Sequence, residues 1–282
     1  MDRAEYTKPD FPADAFAGTA VYYARYRVPY SEVLTNDLLK RTGNSGDGTL
    51  LDLACGPGRI AIPLASSFRE VWAIDREPEM IEVAEQEAKR QGTANIRWLI
   101  GKAENLAAEA NSFQLITIGD AFHRLDQELV ASQALEWLSP GCCLAIMGCY
   151  NLMRGLEPWQ RIVVDTVAKW VGQDAVTNGG APKPEPGSGS LEGRLLDAGF
   201  SDARSFTFVQ QQTWTFESIV GHLYSTSRCS RKVLGDVIVD FEADLKQSLI
   251  GYEASGVYVE NMRCGYTLAE KPHKSSRGGR YD

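Results

Sequence analysis

Short apolar segments alternate with amphipathic helical segments along residues 49–150, and this alternation constrains the fold more than any other feature of the chain. Strands that alternate with helices through short connections are typical of a parallel sheet with right-handed crossovers. The pattern therefore predicts an α/β core. We predict strands at Leu50–Ala54, Val71–Ile74, Ile96–Ile100, Leu115–Ile118 and Cys143–Met147, with helices at Ile60–Ser66, Pro78–Arg90 and Gln127–Leu138.

Helical patterns also flank this core. No second core is visible, so we predict a single domain over residues 1–282. Its parts are an N-terminal helical cover (14–40), a cofactor-binding core (49–150), and lid insertions with C-terminal strands (151–282). In that last part we predict helices at 157–171, Leu191–Ala198, Phe216–Ser225 and Ser230–Leu249, strands at Ala203–Gln210 and Val257–Leu268, a solvated connector at 178–190 and a mobile tail.

Composition and charge exclude several classes of protein. The net charge of −8 argues against a nucleic-acid partner, because such partners need a basic face. No apolar run approaches roughly 18 residues, and the start of the chain has no apolar signal core, so we predict no membrane contact and a cytoplasmic location. No C-x-x-C pair or metal-ligand spacing occurs, so we predict no metal and six reduced thiols: Cys55, Cys142, Cys143, Cys149, Cys229 and Cys264.

The segment Leu50–Leu64 reads LLDLACGPGRIAIPL, a strand that breaks into a glycine turn and continues as a helix. Its glycines match G-x-G-x-x-A, a pattern of nucleotide-binding turns. Asp75 follows Gly58 by 17 residues at the end of the next strand, where an acid can reach ribose hydroxyls. The unit therefore predicts a ligand that carries a nucleoside.

Two acidic residues favour S-adenosylmethionine over a dinucleotide. Asp52 lies in the first strand, four residues before Gly56, and an anion there disfavours a pyrophosphate but favours a sulfonium and an ammonium. Glu104 follows the third strand in GKAENL, where a carboxylate suits the edge of an adenine.

The segments LLDLACGPGR, VWAIDREPEMIEVA, GKAENL and FQLITIGDAFHRLD resemble, in this order, the class I S-adenosylmethionine-dependent methyltransferases. The likeness is greatest to the small-molecule subgroup called type 11. It covers residues 14–150 well and extends loosely to the end of the chain. The resemblance implies a Rossmann-like, seven-stranded, mostly parallel sheet with helices on both faces, whose last strand is antiparallel.

The resemblance also implies roles for individual residues around the cofactor, with His123 near the methyl group. It implies that Tyr23 and Arg27, in YYARYRVPY, hold the cofactor carboxylate. Many relatives have Trp after this His, where this chain has Arg124. The remaining implied cofactor residues are Asp52, Ala54, Gly56 and Gly58 around the methionine, Asp75, Arg76 and Met80 around the ribose, Ala103 and Glu104 at the adenine, and Asp120 and Ala121 below the methionine.

Our leading hypothesis is a methyltransferase that acts on a small molecule, of the kind found in secondary metabolism. The alternatives are a nicotinamide-dependent oxidoreductase and a non-catalytic cofactor-binding module. A hydroxyl acceptor needs a base, and His123 with an ordinary pKa of about 6.5 is the candidate. A carboxylate or phosphonate acceptor needs a cation instead, for which Arg124, Arg154 and Arg228 remain open.

Overall fold

A seven-stranded sheet forms the centre of the computed structural model. The model describes residues 16–43, 46–149, 152–154, 157–177 and 189–273. The strands are β1 (Thr49–Leu53), β2 (Glu70–Asp75), β3 (Ile96–Ile100), β4 (Phe113–Gly119), β5 (Leu138–Cys149), β6 (Asp202–Thr215) and β7 (Val257–Glu270). Their spatial order is β3-β2-β1-β4-β5-β7-β6. The first five strands pair in parallel, and β7 lies antiparallel to both β5 and β6. The predicted fold class, with its antiparallel last strand, is confirmed.

Eleven α-helices are assigned within the described residues. Their bounds are α1 (Ala20–Tyr26), α2 (Glu32–Arg41), α3 (Ala61–Leu64), α4 (Pro78–Arg90), α5 (Gln127–Trp137), α6 (Pro158–Val171), α7 (Asp174–Thr177), α8 (Leu191–Asp197), α9 (Phe216–Tyr224), α10 (Arg231–Leu234) and α11 (Ile238–Tyr252). In the part of the chain that these helices cover, none combines the length and the apolar character that a bilayer span requires.

The predicted helix at Ser230–Leu249 differs from the structure, and the predicted connector and tail lie mostly outside the described residues. The single helix predicted at Ser230–Leu249 is wrong, because the chain breaks at Gly235, whose φ of 53° ends α10. A 3₁₀ turn follows before α11 begins at Ile238. Of the predicted connector, only residues 189 and 190 lie within the described ranges, and the predicted tail lies outside them from residue 274 onward.

The sheet carries a hydrophobic core on each face. Every residue of β1 is buried, which is typical of a central parallel strand that is covered on both sides. Val163 of α6 and Phe241 of α11 belong to the core on one face. Val130 of α5 and Leu195 of α8 belong to the core on the other. Helices therefore cover both faces and leave the ends of the strands as the place for a ligand.

One pair of cysteines departs from the prediction of six reduced thiols. Cys149 on β5 lies directly opposite Cys264 on β7, and the two form a disulfide. The register of the two strands brings these cysteines together, which the spacing of 115 residues in the sequence does not reveal. The prediction was therefore wrong for this pair, and it holds for the free thiols at Cys55, Cys142, Cys143 and Cys229.

Candidate cofactor and acceptor site

A small cleft lies at the carboxyl ends of β1 and β4, the point at which the strand order reverses. Open α/β sheets bind ligands at such a switch point. The cleft has a cavity volume of only about 20 Å³, far below the roughly 300–1,000 Å³ typical of small-molecule sites. A nucleoside-sized ligand therefore requires its walls to move outward. The residues that line the cleft are Tyr23, Tyr30, Asp52, Ala54, Cys55, Gly56, Arg59, Ile60 and Gly119.

The turn after β1 has left-handed backbone at three of its predicted ligand residues. Ala54, Gly56 and Gly58 have φ values of 53°, 54° and 80°. A Cβ at Gly56 would have no atom within 4 Å, so a ligand can approach the backbone there. A Cβ at Gly58 would instead lie 2.8 Å from Ile62 and 3.0 Å from Trp98. A side chain at Gly58 would therefore crowd this packing, and the contact of Gly58 with the cofactor stays a prediction.

Asp75 holds the glycine turn against the end of β2. Its carboxylate accepts hydrogen bonds from the backbone N–H of Gly56 at 2.7 Å and of Glu77 at 2.9 Å. Burial raises the pKa of Asp75, and these two N–H groups partly oppose that change. Each oxygen of a carboxylate accepts more than one bond, so capacity for ribose hydroxyls remains.

Asp52 lies deeper, inside β1, with no exposed surface. Its carboxyl group accepts hydrogen bonds from the Thr117 hydroxyl at 2.8 Å and from the backbone N–H of Ala61 at 3.1 Å. Burial raises its pKa to about 7, although both hydrogen bonds oppose the shift. Asp52 therefore holds the start of α3 in place and also forms part of the cleft wall.

Asp120, Tyr30 and Arg59 form a polar cluster over the cleft. Asp120 has a φ of 51° and accepts hydrogen bonds from the Tyr30 hydroxyl at 2.9 Å and from the backbone N–H of Cys149 at 3.0 Å. Arg59 lies 3.6 Å from the Asp120 carboxylate, and its Nε is buried with no hydrogen-bond partner among the described residues. A buried cation with an unmet donor suits an anionic ligand group.

Tyr23 and Arg27, which were predicted to hold the cofactor carboxylate, lie side by side, with the Arg27 guanidinium 4.8 Å from the Tyr23 ring centre, but only Tyr23 lines the cleft. Tyr23 lines the cleft, and the guanidinium of Arg59 lies 5.7 Å from its ring centre. The Arg27 guanidinium donates to the Ser225 hydroxyl at 2.8 Å, just after α9, and is not part of the cleft lining. Arg59 is therefore the guanidinium that faces the cleft.

His123 lies in the 3₁₀ turn that follows β4 and Asp120. Its Nε2 lies 3.3 Å from the Nε of Arg124, which donates to it. Burial lowers the pKa of His123 to about 4, and the positive charge of Arg124 lowers it further, while Asp120 opposes the shift. The expected pKa near 6.5 is therefore wrong, because the sequence did not reveal that the ring is partly buried beside a cation.

The remaining predicted residues lie after the ends of β2, β3 and β4. Ala103 and Met80 are buried, and Arg76 forms an ion pair with Glu77 at 3.2 Å. Glu104 accepts a hydrogen bond from the backbone N–H of Asp126 at 3.1 Å. Ala121 is half-buried at the start of the turn that carries His123. Their predicted roles toward the ribose, adenine and methionine of a cofactor stay predictions.

Three functional candidates were missed by the sequence analysis. Tyr30 and Arg59 line the cleft, and both lie in segments that the sequence analysis quoted, YYARYRVPY and LLDLACGPGR, without a role being assigned to them. His222 of α9 is 4% exposed, and neither ring nitrogen has a hydrogen-bond partner in the described structure. Burial lowers its pKa well below the ordinary value, and the charge of Arg27 acts in the same direction. The sequence held no signal for His222, because it lies in an ordinary amphipathic helix.

Comparison with known proteins identifies the domain. Residues 50–141 match the family model described as a methyltransferase domain. These residues comprise the glycine turn, Asp75, and the turn that carries Asp120 and His123. Over this third of the chain the sequence is similar to the class I S-adenosylmethionine-dependent methyltransferases. S-adenosylmethionine is the cofactor of this class, as predicted from Asp52 and the glycine turn.

The curated relatives are named as methyltransferases, but their names give different methyl acceptors. An uncharacterised RNA methyltransferase from Halalkalibacterium halodurans is 38% identical over 73 residues, or 26% of this chain and 16% of that protein. Demethylmenaquinone methyltransferase from Geobacillus kaustophilus is 34% identical over 86 residues, or 29% of this chain and 37% of that protein. The chain thus spans less than half the length of the curated relatives it matches.

Solved structures share the fold over most of the chain. The YcgJ protein from Bacillus subtilis has a TM-score of 0.54 at 15% identity, covering 84% of this chain and 97% of that one. Phosphoethanolamine N-methyltransferase 2 from Haemonchus contortus, solved with S-adenosylhomocysteine, has a TM-score of 0.52 at 19% identity, covering 90% and 57%. At these identities the likeness establishes the methyltransferase fold.

Proposed function

We propose that this methyltransferase domain transfers a methyl group from S-adenosylmethionine to a small-molecule acceptor. The observation that carries the proposal is the open backbone at Gly56, which lies in the cleft and is held by the Asp75 carboxylate. A glycine turn that a ligand can approach, next to a buried acid, fits a nucleoside ligand with ribose hydroxyls. The net charge of −8 supports a small acceptor over a nucleic acid.

The residues around the cleft fit the other parts of this cofactor. Asp75, with Arg76 and Met80 nearby, would hold the ribose, and Ala103 and Glu104 the adenine. The unmet Nε of Arg59 and the ring of Tyr23 suit the methionine carboxylate. The carboxyl groups that would face the ammonium and sulfonium are Asp52 and Asp120, beside the backbone of Ala54, Gly56 and Ala121.

The cofactor supplies an electrophilic methyl group on a good leaving group. The protein then has to align the acceptor and exclude water from the reaction. Tyr23, Tyr30 and Arg59 close over the cleft and provide that exclusion. A hydroxyl acceptor also requires a base, for which His123 is the candidate: its imidazole is neutral at pH 7, but a pKa of about 4 makes it a weak proton acceptor. A carboxylate acceptor requires no base.

Isothermal titration with S-adenosylhomocysteine and with NAD tests the cofactor. We expect S-adenosylhomocysteine to bind at micromolar concentration and NAD to give no signal. Saturable NAD binding without a response to S-adenosylhomocysteine would favour a nicotinamide-dependent oxidoreductase and overturn the proposal.

Methyl transfer from radiolabelled S-adenosylmethionine tests the acceptor class. Separate assays would use a small-molecule extract and total RNA of one host. We expect the label to enter the small-molecule fraction. Label that enters only RNA would overturn the small-molecule acceptor, and cofactor binding without transfer to either fraction would favour a non-catalytic module.

A further inference from the structure

The disulfide between Cys149 and Cys264 lies at the end of β5, beside the cleft. The paired positions of β5 and β7 end with Cys149 opposite Cys264. On its other side, β5 pairs with β4 only as far as Met147, which lies opposite Gly119. Among the described strands, β7 is therefore the one that pairs with the last two residues of β5, and the bridge is the covalent part of that pairing.

The same end of β5 holds Asp120 at three points. The backbone N–H of Asp120 donates to the carbonyl of Met147 at 2.9 Å. The Oδ1 atom of its carboxylate accepts a hydrogen bond from the backbone N–H of Cys149 at 3.0 Å. A Cβ placed on Gly148 would lie 3.5 Å from this oxygen, so the carboxylate packs directly against the strand. The position of Asp120 therefore depends on the position of residues 147–149.

The other carboxylate oxygen of Asp120 faces the cleft. Its Oδ2 atom accepts a hydrogen bond from the Tyr30 hydroxyl at 2.9 Å and lies 3.6 Å from the Arg59 guanidinium. Both Tyr30 and Arg59 line the cleft. A single carboxylate thus connects the bridged end of β5 to two residues of the cleft wall.

The backbone of Asp120 makes this connection sensitive to its surroundings. Asp120 has a φ of 51°, in the left-handed region, which costs free energy for a residue that carries a Cβ. Such a conformation persists only where neighbouring contacts hold it. The carbonyl of Met147 and the N–H of Cys149 are two of these contacts. If the end of β5 loosens, Asp120 can relax, and its carboxylate then moves relative to Tyr30 and Arg59.

We propose that Cys149 and Cys264 form a reversible redox site that controls cofactor binding in the cleft. The oxidised bridge fixes the end of β5 and keeps Asp120 in place, and reduction by a dithiol releases both. The reduced protein binds the cofactor more weakly, because Asp120 no longer faces its ammonium and sulfonium groups. This effect on the cofactor rests on the proposed methyltransferase function, whereas the movement of Asp120 does not.

The reduction is a thiol–disulfide exchange. A thiolate of the dithiol attacks the sulfur of Cys149, which is half-buried, whereas Cys264 is 2% exposed. The bond between the two protein sulfurs breaks, and Cys264 leaves as a thiolate that takes up a proton. The second thiolate of the reductant attacks the reductant sulfur of the mixed disulfide, which releases Cys149 as a thiolate that is also protonated. Two electrons come from the dithiol, which becomes a cyclic disulfide.

Titration of S-adenosylhomocysteine into oxidised protein and into protein reduced with dithiothreitol tests this site. The protein is first oxidised with glutathione disulfide, and alkylation in denaturant counts the thiols of each sample. We expect four thiols before reduction and two more after it. On reduction, the affinity should fall about 3- to 30-fold, between the effects of losing a hydrogen bond to a neutral and to a charged group. Equal affinity in the two samples, or the two additional thiols already present after oxidation, would overturn the proposal.

Serine variants link the effect to the bridge. In Cys264→Ser we expect the affinity of the reduced wild type and no further response to dithiothreitol. Cys142→Ser is the matched control, because Cys142 is a half-buried free thiol on the same strand, and this variant should respond as the wild type does. If Cys264→Ser does not fold, Cys149→Ser takes its place, since serine keeps the backbone N–H that Asp120 accepts. A response of either bridge variant to dithiothreitol would overturn the redox site.

Amide NMR spectra of the oxidised and reduced samples separate this proposal from the proposed function. Reduction should shift the signals of Asp120 and Tyr30 and leave the signal of Leu51, which is buried in β1, in place. Shifted Asp120 and Tyr30 signals in a protein that binds no S-adenosylhomocysteine would overturn the methyltransferase proposal and leave the redox site. S-adenosylhomocysteine binding with unshifted Asp120 and Tyr30 signals would overturn the redox site and leave the methyltransferase proposal.

Discussion

The carboxylate of Asp75 accepts a hydrogen bond from the backbone N–H of Gly56 at 2.7 Å, and this contact joins β2 to the glycine turn of β1. The same carboxylate accepts the N–H of Glu77, which starts the connection to α4. Asp75 thus orders the turn before any ligand binds. A cofactor whose ribose hydroxyls donate to Asp75 binds a carboxylate that is already fixed in position.

Replacement of Asp75 with alanine should weaken cofactor binding and loosen the turn. A pair of charge-assisted hydrogen bonds contributes about 2–3 kcal/mol, so we expect S-adenosylhomocysteine affinity to fall roughly 30- to 150-fold. Isothermal titration measures the affinity, and circular dichroism verifies the fold. Asp240→Ala is the control, because Asp240 is exposed on α11. An unchanged affinity in Asp75→Ala would reduce Asp75 to a structural residue of the turn.

The two glycines of the turn should respond differently to alanine. Gly58→Ala places a Cβ against Ile62 and Trp98 at a φ of 80°, so we expect a loss of about 1–3 kcal/mol in the free energy of unfolding. Gly56→Ala has room for its Cβ and carries only the backbone strain, but its methyl group borders the cleft. We expect that variant to lose at least about tenfold in S-adenosylhomocysteine affinity.

Urea denaturation and calorimetric titration of both glycine variants distinguish these effects. We expect Gly58→Ala to lose more of the free energy of unfolding. We expect Gly56→Ala to lose more S-adenosylhomocysteine affinity relative to its loss of stability. The reverse pattern would mean that Gly58 faces the cofactor, as its motif implied.

The His123 ring should stay neutral well below pH 6. Burial, with Arg124 beside it, lowers the pKa of His123 to about 4, and burial also lowers the pKa of His222 well below the ordinary value. Two-dimensional NMR of the imidazole C–H signals, assigned with His123→Gln and His222→Gln, measures both titrations. Neither signal should shift between pH 8 and pH 5.5. A titration midpoint of His123 near pH 6.5 would show that its pKa is the ordinary value expected from the sequence.

Much of the fold could be predicted from the sequence, because strand and helix periods and the glycine turn are local patterns. The seven strands and the position of Asp75 at the end of β2 follow from such patterns. The break at Gly235 was missed, since helical spacing of apolar residues continues across it. The lowered pKa of His123 was missed as well, because burial and the neighbouring charge depend on how distant segments pack.

The other parts of the site could not be predicted from the sequence, because they depend on contacts between segments that are far apart in the chain. Arg59 was visible in the glycine motif, but its ion pair with Asp120 depends on how the turn after β1 packs against the end of β4. The resemblance assigned Arg27 to the cofactor carboxylate, whereas in the fold Arg27 donates to Ser225, the residue that follows α9. His222 lies 99 residues beyond His123, and only the folded lid brings it near Arg27.

The disulfide between Cys149 and Cys264 predicts four free thiols in the unfolded, non-reduced protein. These are Cys55, Cys142, Cys143 and Cys229. The bridge closes a long loop, and such bridges typically contribute about 2–4 kcal/mol. Alkylation in denaturant followed by mass spectrometry counts the thiols, and urea denaturation of Cys264→Ser measures the stability. Six alkylated cysteines without reductant would contradict the bridge.

The stability of the protein should depend on the ionisation of Asp52. Burial raises the pKa of this carboxyl group from 3.8 to about 7, so between these values the folded protein holds a proton that the unfolded chain has released. Stability from this group is therefore greatest below about pH 4 and is lost as the pH rises to about 7. The shift corresponds to at most about 4 kcal/mol, at 1.36 kcal/mol per pKa unit.

An asparagine at position 52 should remove this pH dependence. Asparagine can still accept the hydrogen bond from the Ala61 N–H, and its amide can donate to the Thr117 hydroxyl. The free energy of unfolding of Asp52→Asn minus that of the wild type should therefore increase by a few kcal/mol between pH 5 and pH 8. Urea denaturation at intervals of half a pH unit measures this difference. Taking the difference cancels the other titrating groups, including Glu260, whose pKa burial also raises to about 7. Asp240→Asn controls for a change of net charge, and a difference for Asp52→Asn that stays constant with pH would show that Asp52 is already ionised in the folded protein.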